Sequence, residues 1–452
     1  MPTLAVGTAL ALATLCLGSL PVWASPGDLD YRFGGGDGWA LAGFSRLDGR
    51  PAEDRGENLI VQPDGRIIVL GVSYEDRLPR MAMIRFLPDG SPDPAFGAHH
   101  SGRRIITGPG IEPGSTWPAD IALLPDGKIV VAGTSRTWPL IVFRYDSKGD
   151  LDRSFVDRGW VTPSSPDFVE DAVIAAQPNG KVLIGGTAPV AGSLFDFVLV
   201  RLLQDGRLDA SFGLDGVTTV DVGGRTNGLG DLIIGRRGRI IAGGTVVRTL
   251  PPPPGSPDDI NQATMVVVRL LEDGTVDSRF GRGGRTIVRF FPGVDDQYKS
   301  FHLSSIAAQS DGSLVLGGGG YLPNGGRVAV FGRLRRNGEL DKRFGTRGRL
   351  IPQIIPKIDG VADLIIDGLD RIYASVWVQQ RGAPHSEAGV LRVLPDGVLD
   401  QRFGSNGVAA VGLRRETDPR DLDLTQGHLV LGGSALGGKR WGWDFALFAF
   451  RV

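Results

Sequence analysis

Cysteine is almost missing from this sequence: Cys16 is the only one in 452 residues. Beyond residue 24 there is no thiol, which removes disulfides, thiolate nucleophiles and cysteine-held metals, so stability there must come from packing. An excess of either charge is missing too. Lys+Arg 49 against Asp+Glu 50 gives a net charge of -1, so no bulk field draws the chain to nucleic acid or an anionic membrane. No nucleophile elbow, phosphate-binding loop, zinc helix or dinucleotide fingerprint occurs, and His99-His100 reads as a solvated turn rather than a ligand pair. Glycine and proline are what abound: Gly 68 and Pro 30 make up about 22% of the chain, against a background of roughly 12%, without a collagen triplet. Turn density is therefore high, and a hydrophobic fraction of 41% argues for a packed core rather than disorder.

Residues 1–24 carry no charge, run apolar from Leu4 to Leu20 and end in Val22-Trp23-Ala24, the small-x-small form of a secretory cleavage site. Gly7, Thr8, Thr14, Gly18 and Ser19 dilute that run below what a membrane anchor needs, and Leu15 is too large for a lipoprotein box around Cys16. The expectation is a signal peptide over 1–24 and one mature domain over 25–452, without stable membrane insertion after cleavage: secreted, periplasmic or cell-surface.

The rest of the chain repeats itself. Phe33, Phe96, Phe155, Phe212, Phe280, Phe344 and Phe403 each follow by three positions an aspartate: Asp30, Asp93, Asp152, Asp209, Asp277, Asp341 and Asp400. Eight residues before the last six aspartates stand Arg85, Arg144, Arg201, Arg269, Arg333 and Arg392, and a seventh arginine, Arg451, ends the series. Between these marks lie apolar runs of four to eight residues, β-branched and glycine-bounded, which arbitrates for strands over helices. Asp64-Gly65, Asp126-Gly127, Asn179-Gly180 and Asp311-Gly312 suggest type I′ hairpins, with Arg237-Gly238 and Leu369-Asp370 departing. A second series, Asp89-Gly90 to Asp396-Gly397, leads from third to fourth strand. Seven units of about 61 residues predict an all-β fold: a seven-bladed β-propeller of four-stranded antiparallel blades. The mature chain starts on a fourth strand (Phe33 to Phe44) and finishes on a third (Phe445 to Val452), so the ring closes by pairing these two and leaves no sheet edge.

The signature Asp205-Gly206-Arg207-Leu208-Asp209-Ala210-Ser211-Phe212-Gly213-Leu214-Asp215-Gly216, with Gln62-Pro63-Asp64-Gly65-Arg66-Ile67 ahead of it in its own copy, resembles the bacterial delta-60 repeat family. Val156 in place of glycine and Pro92 in place of leucine depart from it. The resemblance implies an exported bacterial repeat protein and brings no common catalytic residues.

A residue present in every copy belongs to the unit, so the Arg and Asp series reads as structural: a bidentate pair tying two strands, with the phenylalanine packing between sheets. Function is expected on the face of long, dissimilar connections, where Trp117, Trp138, Tyr298, Trp377, Trp441 and Trp443 are candidate platforms, with His302 and His385 beside them. Asp120, Asp231, Asp363 and Asp421, with Asn58, displaced Asp171 and Ser305, form a second set at the channel mouth. Converging carboxylates there suit a divalent cation; the alternative is that each accepts backbone N–H bonds in the preceding turn. No cofactor is predicted, the divalent cation being the option kept open. The leading reading is a monomeric exported scaffold that binds a glycan or protein and no nucleic acid; a metal-assisted hydrolase or lyase at the channel mouth is the alternative.

Overall fold

The computed structural model describes residues 25–44, 53–74, 78–97, 101–108, 116–163, 170–190, 193–224, 226–250, 260–290, 300–322, 326–354, 357–379, 385–413, 416–425, 427–437 and 442–452. Residues 1–24, His99, His100, Tyr298 and Trp441 lie outside them.

Each repeat folds as the alternation of short apolar runs and Gly-containing turns requires, into a four-stranded antiparallel sheet, and there are seven. In blade 1 the strands are Asp54–Val61, Ile67–Ser73, Arg80–Phe86 and Arg103–Ile105. The second strand of this blade is buried throughout and the third almost so, because sheets cover both faces. The core is accordingly a set of seven apolar layers between neighbouring blades. One layer packs Val130, Val142 and Phe155 of blade 2 against Ile184, Val198 and Val200 of blade 3. The last blade, whose own strands are Thr417–Leu424, His428–Leu436 and Trp443–Arg451, takes Trp39–Ala42 as its fourth. Trp39 stands opposite Phe448 and Ala42 opposite Phe445, so the ring closes as expected.

The hairpin turns differ from the type I′ expected. Gly65, Gly127, Gly180 and Gly312 have positive φ, but the residue before each does not. In blade 1, Gly65 N donates to Gln62 O and Gln62 N to Arg66 O, both at 2.8 Å, the pattern of a type I turn followed by a glycine bulge. The aspartate serves as an acceptor instead: Asp64 takes the amide of Arg66 at 3.1 Å and Asp126 that of Lys128 at 3.2 Å. At the two departures Asp370 (φ 59) takes the left-handed position itself, and Arg237 (φ 60) joins Gly238 (φ 68) in it.

On the short-turn face every motif pairs its arginine with its aspartate. Arg85–Asp93, Arg144–Asp152, Arg333–Asp341 and Arg392–Asp400 close to 2.8 Å, Arg201–Asp209 to 2.6 Å and Arg269–Asp277 to 2.9 Å. Arg451 meets Asp30 across the closure at 3.4 Å. In blades 1 to 6 the guanidinium also lies over the motif phenylalanine, as Arg201 does over Phe212 at 4.5 Å. From there it reaches into the next blade: Arg85, Arg144, Arg201, Arg269 and Arg333 donate to the carbonyls of Ser147, Gln204, Glu272, Arg336 and Pro395.

The residue after each phenylalanine completes this latch with a backbone bond to the following blade. Gly34 donates to Asp89 O at 2.7 Å, Gly213 to Asp273 O at 2.8 Å, and Gly404 to Pro26 O at 2.9 Å. The position needs positive φ, and in most copies a Cβ there would strike the carbonyl of the next strand, as at Gly213 against Val217. Val156 holds it in blade 2 at φ 45 and still donates to Asp205 O at 2.9 Å. A second cation, unnoticed in the sequence, supports the latch: Arg66, Lys128, Lys181 and Arg239 lie 2.7 to 3.1 Å from Asp93, Asp152, Asp209 and Asp277. Its sequence signal is a basic residue directly after the first hairpin glycine.

Two outcomes are expected. Arg201→Ala leaves the buried Asp209 with Lys181 as its only cation and removes the bond to the next blade, which should cost about 3 kcal/mol, whereas Leu214→Ala, at a side chain 80% exposed, should cost under about 0.5 kcal/mol. Chemical denaturation of both variants measures the difference; similar losses would contradict the latch. Val156→Gly should stabilise by about 1 kcal/mol by relieving a β-branched residue at positive φ, and a lowered melting temperature would contradict that.

Candidate functional site

The first strand of each blade faces the central channel and carries a register break. It falls between Gly56 and Asn58, Pro118 and Asp120, Glu170 and Val173, Leu229 and Asp231, Leu303 and Ser305, Val361 and Leu364, and Pro419 and Asp421. A bulge leaves an amide without its ladder partner. The amides just beyond these breaks are those of Leu59, Ile121, Ile174, Leu232, Ile306, Leu364 and Leu422. A side-chain oxygen of the channel ring takes every one. Asp421 of blade 7 accepts from Leu59 of blade 1 at 2.7 Å, Asp120 from Ile174 at 2.6 Å, and Asp231 from Ile306 at 2.6 Å. Ser305 accepts from Leu364 at 3.2 Å, and Asp363 from Leu422 at 3.4 Å. Where the preceding blade offers Asn58 or Val173 instead of an acid, the aspartate turns its other oxygen to the next amide of its own strand. Ile121 thus donates to Asp120 at 2.7 Å and Leu232 to Asp231 at 2.6 Å.

This arrangement corrects two expectations. The acids sit midway along their strands rather than at the channel mouth, because each strand begins several residues earlier on the loop face. Their partners are amides of the neighbouring blade and of the residue that follows, not of the preceding turn. Asp171 stands on the first strand of blade 3 beside the break, where Val173 occupies the ring position. Among the described residues, no three His, Cys, Asp or Glu side chains converge as a metal site requires. Burial pushes Asp120 and Asp231 up to about 7, with neighbouring carboxylates adding to it. Burial also raises Asp363 and Asp421, and Asp421 is raised further by the charge of Asp363 beside it.

On the loop face the named aromatics are spread over several blades. Trp117, 37% exposed, is the second residue of the first strand of blade 2. Trp138 follows Ser135, whose hydroxyl accepts its amide at 2.9 Å, and its ring packs on the layer between blades 1 and 2. Trp443 begins the third strand of blade 7 with the Arg55 guanidinium 5.7 Å over it. Trp377 lies two residues before the end of the second strand of blade 6, where its indole N–H donates to Asp418 Oδ1 at 2.9 Å. No ring contact joins these four among the described residues.

Trp377 has other company. It lines a cleft of about 290 Å³ between blades 5 and 6 with His302, Ser304, Tyr321, Arg327 and Asp359. Tyr321 is 44% exposed, and the Arg327 guanidinium lies 5.5 Å over its ring. Burial lowers the pKa of His302, favouring the neutral imidazole. Lys357 pairs with Asp359 at 2.8 Å. Tyr321 was not singled out from the sequence; its signal is a large aromatic ending a second strand on the loop face. His385 lies 3.9 Å from Glu416 on the same face.

Fold and site together define a seven-bladed propeller with an acid-ringed channel and a cleft on its variable face. Three segments, 62–96, 124–155 and 177–212, match the family described as a domain of unknown function (DUF5122) beta-propeller, well short of half the chain. Among curated proteins no sequence matches significantly. Similar solved structures include a polysaccharide lyase, Uly1, with a TM-score of 0.49 at 11% identity over 88% of this chain and 90% of that one. The beta-propeller domain of the Trilobed protease from Pyrococcus furiosus gives 0.43 at 10% over 88% and 93%. The alpha-L-arabinanase of Penicillium chrysogenum gives 0.42 at 10% over 74% and 93%. At these scores the likenesses carry no argument about activity.

The channel acids and the latch acids have opposite pH signatures. Asp120 and Asp231 hold their protons in the fold up to about pH 7, and Asp54, buried under the closing strand, up to about 6; unfolded, all three release them near 3.8. In that window the folded state binds more protons, so stability falls as pH rises from about 4 to about 7. In Asp209 burial opposes ionisation, but Lys181, Ser211 and Arg201 outweigh it and hold the carboxyl well below the usual range. Its contribution is present above about pH 4 and lost as pH falls through its folded value. The melting temperature should therefore peak near pH 4 to 5 and decline toward pH 8, roughly by a few degrees, with Asp231→Asn flattening the decline. A melting temperature that is flat or rising from pH 5 to 8, read by calorimetry, would contradict this.

Proposed function

We propose that this is an exported, monomeric, delta-60-type repeat propeller that recognises a glycan on its loop-rich face, at the cleft between blades 5 and 6. The observation that carries the reading is the cleft itself. Its Trp377 ring is held by Asp418 and its Tyr321 ring is open to solvent, while Ser304, His302, Arg327 and Asp359 supply donors and acceptors around them. An apolar ring face with convergent polar groups suits a sugar, whose C–H face stacks while its hydroxyls hydrogen-bond. The bond to Asp418 fixes the indole before any ligand arrives, which lessens the ordering cost of binding. Trp117 offers a second exposed ring on blade 2.

A glycan array on residues 25–452 tests the reading. A hit is expected whose affinity, by titration calorimetry, drops at least about tenfold in Tyr321→Ala and in Asp359→Asn, with the melting temperature little changed. If binding survives both changes but vanishes with chelator or with Asp120→Asn, or if the bound glycan is cleaved, the metal-assisted hydrolase or lyase reading replaces it.

A further inference from the structure

The opposite face is built of short turns, and one junction among them stands out by its charge. It lies where blade 4 meets blade 5. There a notch of about 300 Å³ is lined by Arg236, Arg237, Arg239, Arg269, Arg279 and Arg336 around the Phe280 ring. In a chain with a net charge of -1 this is a strong local concentration of cations.

The chain supplies its own comparison. The equivalent notch between blades 2 and 3 is lined by Pro125, Asp126, Lys128, Arg144, Ser154 and Gln204, with Asp205 beside them. Arg144 and Arg269 are the same latch residue, and Lys128 and Arg239 the same supporting cation. The charge difference lies at five positions: Arg236 for Pro125, Arg237 for Asp126, Arg279 for Ser154, Arg336 for Gln204 and Asn337 for Asp205. The latch therefore does not require them, since it forms at both junctions with Arg–Asp distances of 2.8 Å and 2.9 Å.

The floor and rim of the notch differ in kind. Arg269 and Arg239 are pinned on Asp277 at 2.9 Å and 3.1 Å. At the rim Arg236, Arg237, Arg279 and Arg336 are exposed, and no ion pair engages them among the described residues. Arg236 Nη1 reaches only the Ser310 carbonyl, at 3.3 Å. Glu272 packs beside Gly238 on the flank of the same blade, and its charge is outnumbered. Arg237 stands at the left-handed turn position, φ 60. Guanidinium groups present planar forks of donors to tetrahedral oxyanions, and a cleft of one sign raises the local concentration of the opposite one.

We propose that this notch binds an ester sulfate or phosphate group of an anionic ligand, independently of the loop-face cleft. The test uses residues 25–452 at low ionic strength, titrated calorimetrically with sodium sulfate, sodium phosphate, a sulfated oligosaccharide, its unsulfated counterpart and a sugar phosphate. The variant grafts the neutral notch onto the basic one: Arg237→Asp, Arg279→Ser and Arg336→Gln together. A control makes the same charge change at exposed positions elsewhere: Arg136→Ser, Arg153→Asp and Arg402→Gln. The wild-type protein should bind at least one oxyanion-bearing probe, and the graft should weaken it at least about tenfold, while the control stays within about twofold and both variants melt as the wild type does. Preference for the sulfated oligosaccharide or for the sugar phosphate identifies the source of the group. Failure of the wild type to bind any probe below about 10 mM, or equal losses in graft and control, would overturn the proposal.

Discussion

A buried guanidinium that serves two blades at once is the interaction on which this ring depends. Arg201 is held by its own blade through Asp209 and Phe212, and it spends a further donor on the Glu272 carbonyl of the next. The backbone amide of Gly213 reaches the same turn one residue later. A charge taken out of water is tolerable only when every donor finds an acceptor in good geometry, and this one finds acceptors on both sides of the junction. Neighbouring blades are thereby set in register by chemistry as well as by the apolar layers, which alone are non-directional. The closing blade keeps the arrangement with different parts: Arg451 and His428 stand by Asp30, and Gly34 bonds to Asp89 of blade 1.

The channel applies the same device with opposite charge economics. A bulge in every first strand frees an amide toward the axis, and an oxygen from the neighbouring blade or from the residue before it meets that amide. Carboxyl groups suit this role because they offer two acceptors, but crowding several acids around a narrow axis raises their proton affinity. Asp363 and Asp421 are close enough that one carboxyl of the pair is favoured in its protonated form, sharing a hydrogen bond with the other. The two faces and the channel thus separate their tasks: latch on one, acid ring within, variable loops on the other.

The fold was legible in the sequence because the unit repeats: the Arg, Asp and Phe positions recur at constant offsets, and only a local geometry shared by all copies explains that. The closure was legible from the first and last strand types. Turn type was not, since Asp-Gly suits both a type I′ turn and a type I turn with a bulge, and the choice follows from the aspartate accepting an amide two residues on. The acids of the channel were visible as positions, but their partners depended on a register break that no residue pattern marks. Val156 announced itself as a departure, and the structure shows what it costs: positive φ at a β-branched residue. Tyr321 and the basic notch were hidden for a further reason. Arg279 and Arg336 belong to different repeats and come together only once blade 4 stands against blade 5.

Native-state hydrogen exchange tests the central claim most directly. The amides of Gly34, Gly97, Val156, Gly213, Gly281, Gly345 and Gly404 lie in turns, outside the strand ladders, and each donates across a blade junction. If the latches hold the ring as one cooperative body, all seven exchange only through global opening, with protection like that of the buried third strands. Exchange at the rate of ordinary surface turns, or protection that falls off blade by blade from one junction to the next, would contradict the account.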